Sequence, residues 1–311
     1  SCSLLVGPLH SAMTEHRSQS FFVEKMLGLH LARRSVRRAL CTTAYDSQSG
    51  MRIQTSASRV ALHDLVAASS TNIHPQIFER LRAAGLSSLQ QQAPPLGDIV
   101  QLKDGWVTSV PATATAAEIT ALTASGAGSV SFDLPFNAAA DLERSIADGV
   151  RIAQALPPLV QCRVNLIGAF AADEFELQHA AAKLCDAGAD HLVLVDDGTC
   201  ADLQPSASSD DVEYRCEVVL EALNWVDVVG TPMRLRLGVR GVPSETGDPL
   251  QPSVTRECLK LGFTKVDADL GGVLGPRTTH ILAMIDEVNA EGEHLPHEVD
   301  AAVVADAARE L

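Results

Sequence analysis

The sequence predicts an α/β fold, a (β/α)8 TIM barrel with an N-terminal basic helical extension, on three observations. From residue 50 onward, short β-rich runs alternate with stretches of helical periodicity. The β-rich runs number eight. Glycines stand where the helical stretches should stop, as in Ala84-Gly85-Leu86, Ser125-Gly126-Ala127, Ala187-Gly188-Ala189 and Leu261-Gly262-Phe263.

The expected strands cover 51–55, 88–92, 106–110, 129–134, 162–167, 191–195, 233–239 and 264–269. Between them, Ile77, Leu81 and Ala84 share one helical face, as do Ile119 and Leu122. The pattern repeats with Ile146, Val150 and Ala153, then with Leu177, Ala181 and Leu184. It continues through Val219, Leu220, Leu223 and Val226 to Ile281, Met284, Ile285 and Val288. Alternating β and α units with short links require a parallel sheet, because each crossover returns the chain to the same edge. Eight units in this length suit a closed barrel. A doubly wound open sheet is the alternative. The expected layout is an arm at 1–49, the barrel at 50–291 and a C-terminal helical tail at 292–311.

Composition excludes several classes. Apolar residues make up 46% of the 311 and charged residues 20%, as in ordinary globular domains. No apolar run reaches the roughly 18 residues a membrane-spanning helix needs. Of the net charge of −15, residues 1–40 hold six basic groups against two acidic ones. The remaining 271 residues carry 18 basic and 37 acidic groups, a net of −19. Such a body repels phosphate backbones, so no direct nucleic-acid contact is expected from it. The seven cysteines have no CxxC or other metal-like spacing, and several, such as Cys185 and Cys258, sit in apolar stretches, as buried reduced thiols would.

The chain begins at Ser1 rather than Met, which reads as processing or truncation. Residues 21–40 can form a helix with a basic C-terminal half, and 25–44 are Arg-rich and nearly free of acid, like a mitochondrial transit peptide. Two readings follow: a retained arm that docks on another protein, or an accidental basic helix. The docking arm is preferred, and the expected location is mitochondrial.

The order of certain phrases resembles the metal-dependent acyl-CoA lyase and aldolase barrels, and hydroxymethylglutaryl-CoA lyase above all. These phrases are 83–91, the run 186–199 with its Val195-Asp196-Asp197-Gly198-Thr199 turn, and Val266-Asp267-Ala268-Asp269-Leu270-Gly271-Gly272. The resemblance implies a divalent cation at the strand ends that polarises the substrate carbonyl. It also implies a first strand ending in Arg-Asp-Gly-Leu-Gln. The run matched to it here is Arg59-Val60-Ala61-Leu62-His63, with Val60 in place of the metal-binding carboxylate. The His-x-His pair of the seventh strand is matched by Gly238 and Arg240, and the catalytic Cys behind Gly-Gly by Val273. The second-strand Glu is matched by Gln90 or Gln91, and the Asn ligand has only His280 as a nearby counterpart. On this matching, Arg59, Val60, Gln90, Gly238, Arg240 and Val273 are relic positions, and no metal, cofactor or catalytic residue is expected.

Other polar groups have plainer readings. Asp196 and Asp197 suit a turn and helix cap. Asp267 and Asp269 share a strand face and, with Arg59 and Arg240, suit an ionic network in the barrel mouth. His294 and His297 read as surface groups, 203–211 as an exposed loop, and no phosphate-binding glycine motif occurs. The expected function is therefore a pseudoenzyme: a lyase-like barrel kept as a structural subunit of a mitochondrial complex, of the respiratory chain or ATP synthase. The mitochondrial ribosome periphery is the alternative assembly. The alternative activities are a metal-independent enzyme, or a ligand-binding barrel for a small acidic or acyl-CoA-type molecule.

Overall fold

A computed structural model describes residues 59–65, 75–92, 106–136, 142–200, 208–228, 236–246, 248, 251–292 and 295–310. Eight parallel strands close into a barrel in sequence order: β1 (Ala61–Asp64), β2 (Ser88–Gln92), β3 (Trp106–Ser109), β4 (Ser129–Pro135), β5 (Gln161–Ile167), β6 (His191–Val195), β7 (Arg236–Arg240) and β8 (Lys265–Ala268). The described helices are α1 (Pro75–Ala83), α2 (Ala116–Ala124), α3 (Leu142–Ala155), α4 (Glu174–Asp186), α5 (Ser209–Val228), α6 (Val254–Lys260), α7 (Thr278–Ala290) and α8 (Ala301–Arg309). The barrel is confirmed and the open sheet excluded.

Seven of the eight strands fall where the alternation places them. The first does not. Residues 51–55 lie outside the described residues, and the strand that pairs with β8 is β1, in register from Ala61 opposite Lys265 to Asp64 opposite Ala268. The expected helical faces are buried: Leu81, Ile119, Ile146, Leu177, Leu184, Ile281 and Ile285 are almost wholly inaccessible. They pack on the outward residues of the strands, such as Val130, Phe132 and Leu134 of β4 and Val164 and Leu166 of β5. Helix starts are capped by side chains. Thr115 and Glu118 form a reciprocal capping box on α2, and Asp173 accepts from Phe175 and Glu176 N–H at α4.

The segment expected as a C-terminal helical tail at 292–311 holds the helix α8 and is bonded to the barrel. Val60 N–H donates to Pro296 O at 2.8 Å, Asp300 N–H donates to Ala84 O at 2.7 Å, and Arg80 pairs with Glu310. His297 bridges to Val60 and is half-buried, so it is not a free surface histidine. His294 and the arm at 1–49 lie outside the described residues. Among the described residues no helix is long and apolar enough to cross a membrane.

Gly85 shows how tightly this segment sits. Its φ is +97°, and a Cβ there would run into the backbone carbonyl of Glu298. Gly85→Ala should therefore cost about 2–3 kcal/mol, from the left-handed backbone and the clash together. Equilibrium urea unfolding measures it, and a loss within 0.5 kcal/mol would contradict this packing.

Candidate functional site

The period of two along each strand decides what enters the lumen. In β4 the apolar Val130, Phe132 and Leu134 face the helices, so Ser129, Ser131 and Asp133 face inward. In β5 the same logic turns Arg163 and Asn165 inward, and in β8 Asp267. Barrels of this type are usually filled by branched aliphatic side chains. This one is filled by polar groups.

Its centre is an ionic triad. Arg163 of β5 reaches across the lumen through Nη2 to Asp267 Oδ1. Arg240 of β7 donates to Asp267 Oδ2 through Nε at 3.0 Å and Nη2 at 2.8 Å. All three are buried, with Asp267 1% exposed, Arg163 4% and Arg240 6%. Burial alone would raise the Asp267 carboxyl, but Arg163 and then Arg240 outweigh it and hold the group below the usual carboxylate range. Around the triad, Arg163 Nε donates to Asn165 Oδ1 at 3.3 Å, and Asn165 Nδ2 donates to Asp133 Oδ1 at 2.8 Å.

On the other side of the lumen, Gln90 Oε1 accepts from Ser131 Oγ at 3.4 Å and from His63 Nε2 at 3.3 Å. With Nε2 as donor, His63 Nδ1 is the acceptor for the Ser88 hydroxyl at 2.6 Å. Burial, helped by the charge of Arg163, lowers His63 to about 3 and keeps the ring neutral. His191, at the start of β6, is lowered to about 3 for the same two reasons. Its Nε2 is buried with no hydrogen-bond partner and lies against Gly238, where a Cβ would stand 2.8 Å from it.

The C-terminal mouth, where barrel enzymes place their chemistry, holds further carboxyl groups. Asp64 ends β1 and accepts from Thr278 Oγ1 at 2.6 Å and Leu270 N–H at 3.3 Å. Asp269 is turned into its own loop, accepting from the N–H groups of Gly271, Val273 and Leu274. Asp196 accepts from Gly198 N–H and Asp197 from Thr199, as expected for turn formers. Glu245 Oε1 accepts from Val254 N–H at 2.9 Å, while its Oε2 is buried without a partner. Burial raises this carboxyl to about 7.

The residues singled out in the sequence scatter. Arg240 and Asp267 meet as anticipated. Arg59 does not join them: it precedes β1 on the N-terminal side and forms an exposed ion pair with Glu298. Val60 also precedes the strand, so it does not stand at the strand end to which it was matched. The carboxylate that ends β1 is Asp64, four residues later. Gln90 is in the lumen, whereas Gln91 faces Thr108. Val273 is 62% exposed on the loop after β8, and His280 Nδ1 lies 3.1 Å from Glu245 O. His63, Arg163, Asn165 and His191 were not anticipated, although the polar-apolar alternation of β5 carries the signal for two of them.

The divalent cation that the resemblance implies does not fit these residues. In the middle of β7 Gly238 offers no donor, and at its end the Arg240 guanidinium is already bonded to Asp267. Asp64 accepts from a hydroxyl and a backbone N–H. Among the described residues no group of three His, Cys, Asp or Glu side chains is arranged to hold a metal ion.

No family model matches the chain, and no curated protein matches it in sequence. Solved structures do match. Hydroxymethylglutaryl-CoA lyase from Pseudomonas aeruginosa superposes with a TM-score of 0.60 at 15% identity, over 80% of this chain and 91% of that one. The likeness is one of fold. A multifunctional pyruvate carboxylase from Rhizobium etli superposes at 0.51 with 12% identity, over 82% of this chain and 28% of that one. Both of those proteins are enzymes built on this barrel.

Proposed function

We propose that this protein is a non-catalytic, lyase-like barrel that serves as a structural or accessory subunit of a mitochondrial assembly, a respiratory-chain or ATP-synthase complex before a ribosome. The observation that carries the reading is the Arg240–Asp267–Arg163 triad. Lyase chemistry of the hydroxymethylglutaryl-CoA type needs a cation open to substrate at the strand ends. Here a guanidinium spends its donors on an internal carboxylate, and the lumen behind it is cross-linked.

Two features favour a subunit role. The arm at 1–49 is basic while the rest of the chain is strongly acidic. Of the exposed large apolar side chains, Phe175, Tyr214, Val273 and Leu274 lie on elements that begin at the C-terminal face. Exposed apolar side chains on one face of a barrel suit a protein contact.

Native purification of the tagged chain from mitochondria tests the reading, with an assay of acyl-CoA ester cleavage in Mg²⁺, Mn²⁺ or Zn²⁺. The expected result is migration in a stoichiometric complex with no cation-dependent turnover. Deletion of 1–49 is expected to leave the barrel folded and abolish incorporation. Cation-dependent turnover, or migration as a lone protein, overturns the proposal.

A further inference from the structure

Among the described residues the lumen is open at the face opposite the C-terminal mouth. A cavity of about 390 Å³ enters the barrel there, and its wall includes Ala61, Ser88, Ser129, Gln161, His191 and Lys265. These are the first residues of β1, β2, β4, β5, β6 and β8. Its floor is His63, Arg163 and Asp267. The cavity exists because half of this ring is small: Ala61, Ser88 and Ser129 fill little space, and Gly238 behind His191 fills none. Aliphatic barrels close this layer with branched side chains. Its volume falls in the range of small-molecule sites, about 300–1,000 Å³.

One buried nitrogen, His191 Nε2, has no partner, and one nitrogen of the Arg163 guanidinium on the cavity floor makes no hydrogen bond among the described residues. Arg163 spends Nη2 on Asp267 and Nε on Asn165, which leaves Nη1. Buried polar atoms are normally paired, so the orphaned His191 nitrogen and the uncommitted Arg163 N–H groups in the lining of one cavity point to an occupant. The charge there favours an anion. Asp267 is the single carboxylate in the lining and already carries two guanidinium groups. The next carboxylate, Asp133, lies one layer towards the C-terminal face, beyond Arg163.

We propose that the N-terminal end of the lumen is a binding site for a small oxyanion, a compact carboxylate or phosphate. Its charged end meets Arg163 Nη1, and its body lies between Ser129, Gln161 and His191. A guanidinium with a free N–H is the natural partner for such an oxyanion. His191, held neutral, contributes a hydrogen bond rather than a charge. The site is separate from the C-terminal mouth and does not depend on whether the chain is a subunit or an enzyme.

The full chain in Tris-chloride, titrated with sodium acetate, succinate or phosphate and with choline chloride at matched ionic strength, tests this. At least one oxyanion should raise Tm in a saturable way, as ligand linkage requires, while choline chloride should not. The acetate, succinate and phosphate arms separate the carboxylate from the phosphate source. The same titration should move the ¹⁵N resonance of His191 Nε2 with the same midpoint. Ser129→Phe, which fills the mouth, should weaken binding at least about tenfold, or 1.4 kcal/mol. If Ser129→Phe does not fold, the His191 resonance of the unaltered chain decides alone. Equal Tm responses to all four salts, or a His191 resonance that ignores every oxyanion, overturns the proposal.

Discussion

Asp267→Ala is expected to cost about 3–5 kcal/mol of folding stability, the largest loss of any single polar substitution in the barrel. The reason is asymmetry. Asp267 serves two guanidinium groups, one from β5 across the lumen and one from β7 beside it. Removing it leaves two buried cations facing each other with Asn165 as the remaining hydrogen-bond partner of Arg163. The triple change Asp267→Leu with Arg163→Met and Arg240→Met should recover most of the loss, because well-packed apolar groups replace buried ion clusters at little cost. Urea unfolding of the two variants measures both halves. If Asp267→Ala lost less than about 1 kcal/mol, the triad would be ornamental to the fold.

Acid should unfold the protein through its neutral histidines. His63 is lowered from 6.5 to about 3 in the folded state, so between those values the unfolded chain binds a proton that the folded chain does not. Folding stability therefore falls as pH drops through this window, by about 1.4 kcal/mol per unit for each such group. His191 adds in the same direction. Glu245 acts the other way: raised to about 7, it binds a proton in the folded state between 4.5 and 7, and its contribution is lost as pH rises through 7. The separable measurement is the stability difference between the protein and its His63→Gln variant. That difference should be flat above pH 7 and shrink steadily from pH 6.5 to 4. A difference independent of pH would place a charged imidazole, or an open lumen, at His63.

Much of this was legible in the sequence, and the part that was not has a physical cause. Strand and helix order follows from hydrophobic period, which Leu177, Ala181 and Leu184 or Val130, Phe132 and Leu134 state plainly. The inward set could have been read in the same way. Arg163, Asn165 and Asp267 alternate with apolar neighbours, and in a strand covered by helices only the lumen can hold them. What failed was the start of β1. The run from Val60 to Leu65 is six residues with one polar pair, and nothing local marks which residue ends the strand. A register fixed by β8 settled it, and pairing between the first and last strands is invisible to local pattern. The same limit hid His191 and Glu245, whose orphaned atoms result from where Gly238 and Gly241 bring the chain close.

The clasp between Val60 and Pro296, and between Ala84 and Asp300, sets a schedule for biosynthesis. The first βα unit leaves the ribosome with those backbone groups waiting for partners at residues 296 and 300, far later in the chain. At about 5–20 residues per second the wait lasts tens of seconds. Until β8 is made, β1 is a bare strand edge, open to pairing with any neighbouring chain. A chain that stops short of β8 would leave that edge open, and one that stops short of residue 296 would leave Val60 N–H without its partner. A product that ends before Lys265 would therefore aggregate through β1 rather than close as a seven-stranded barrel.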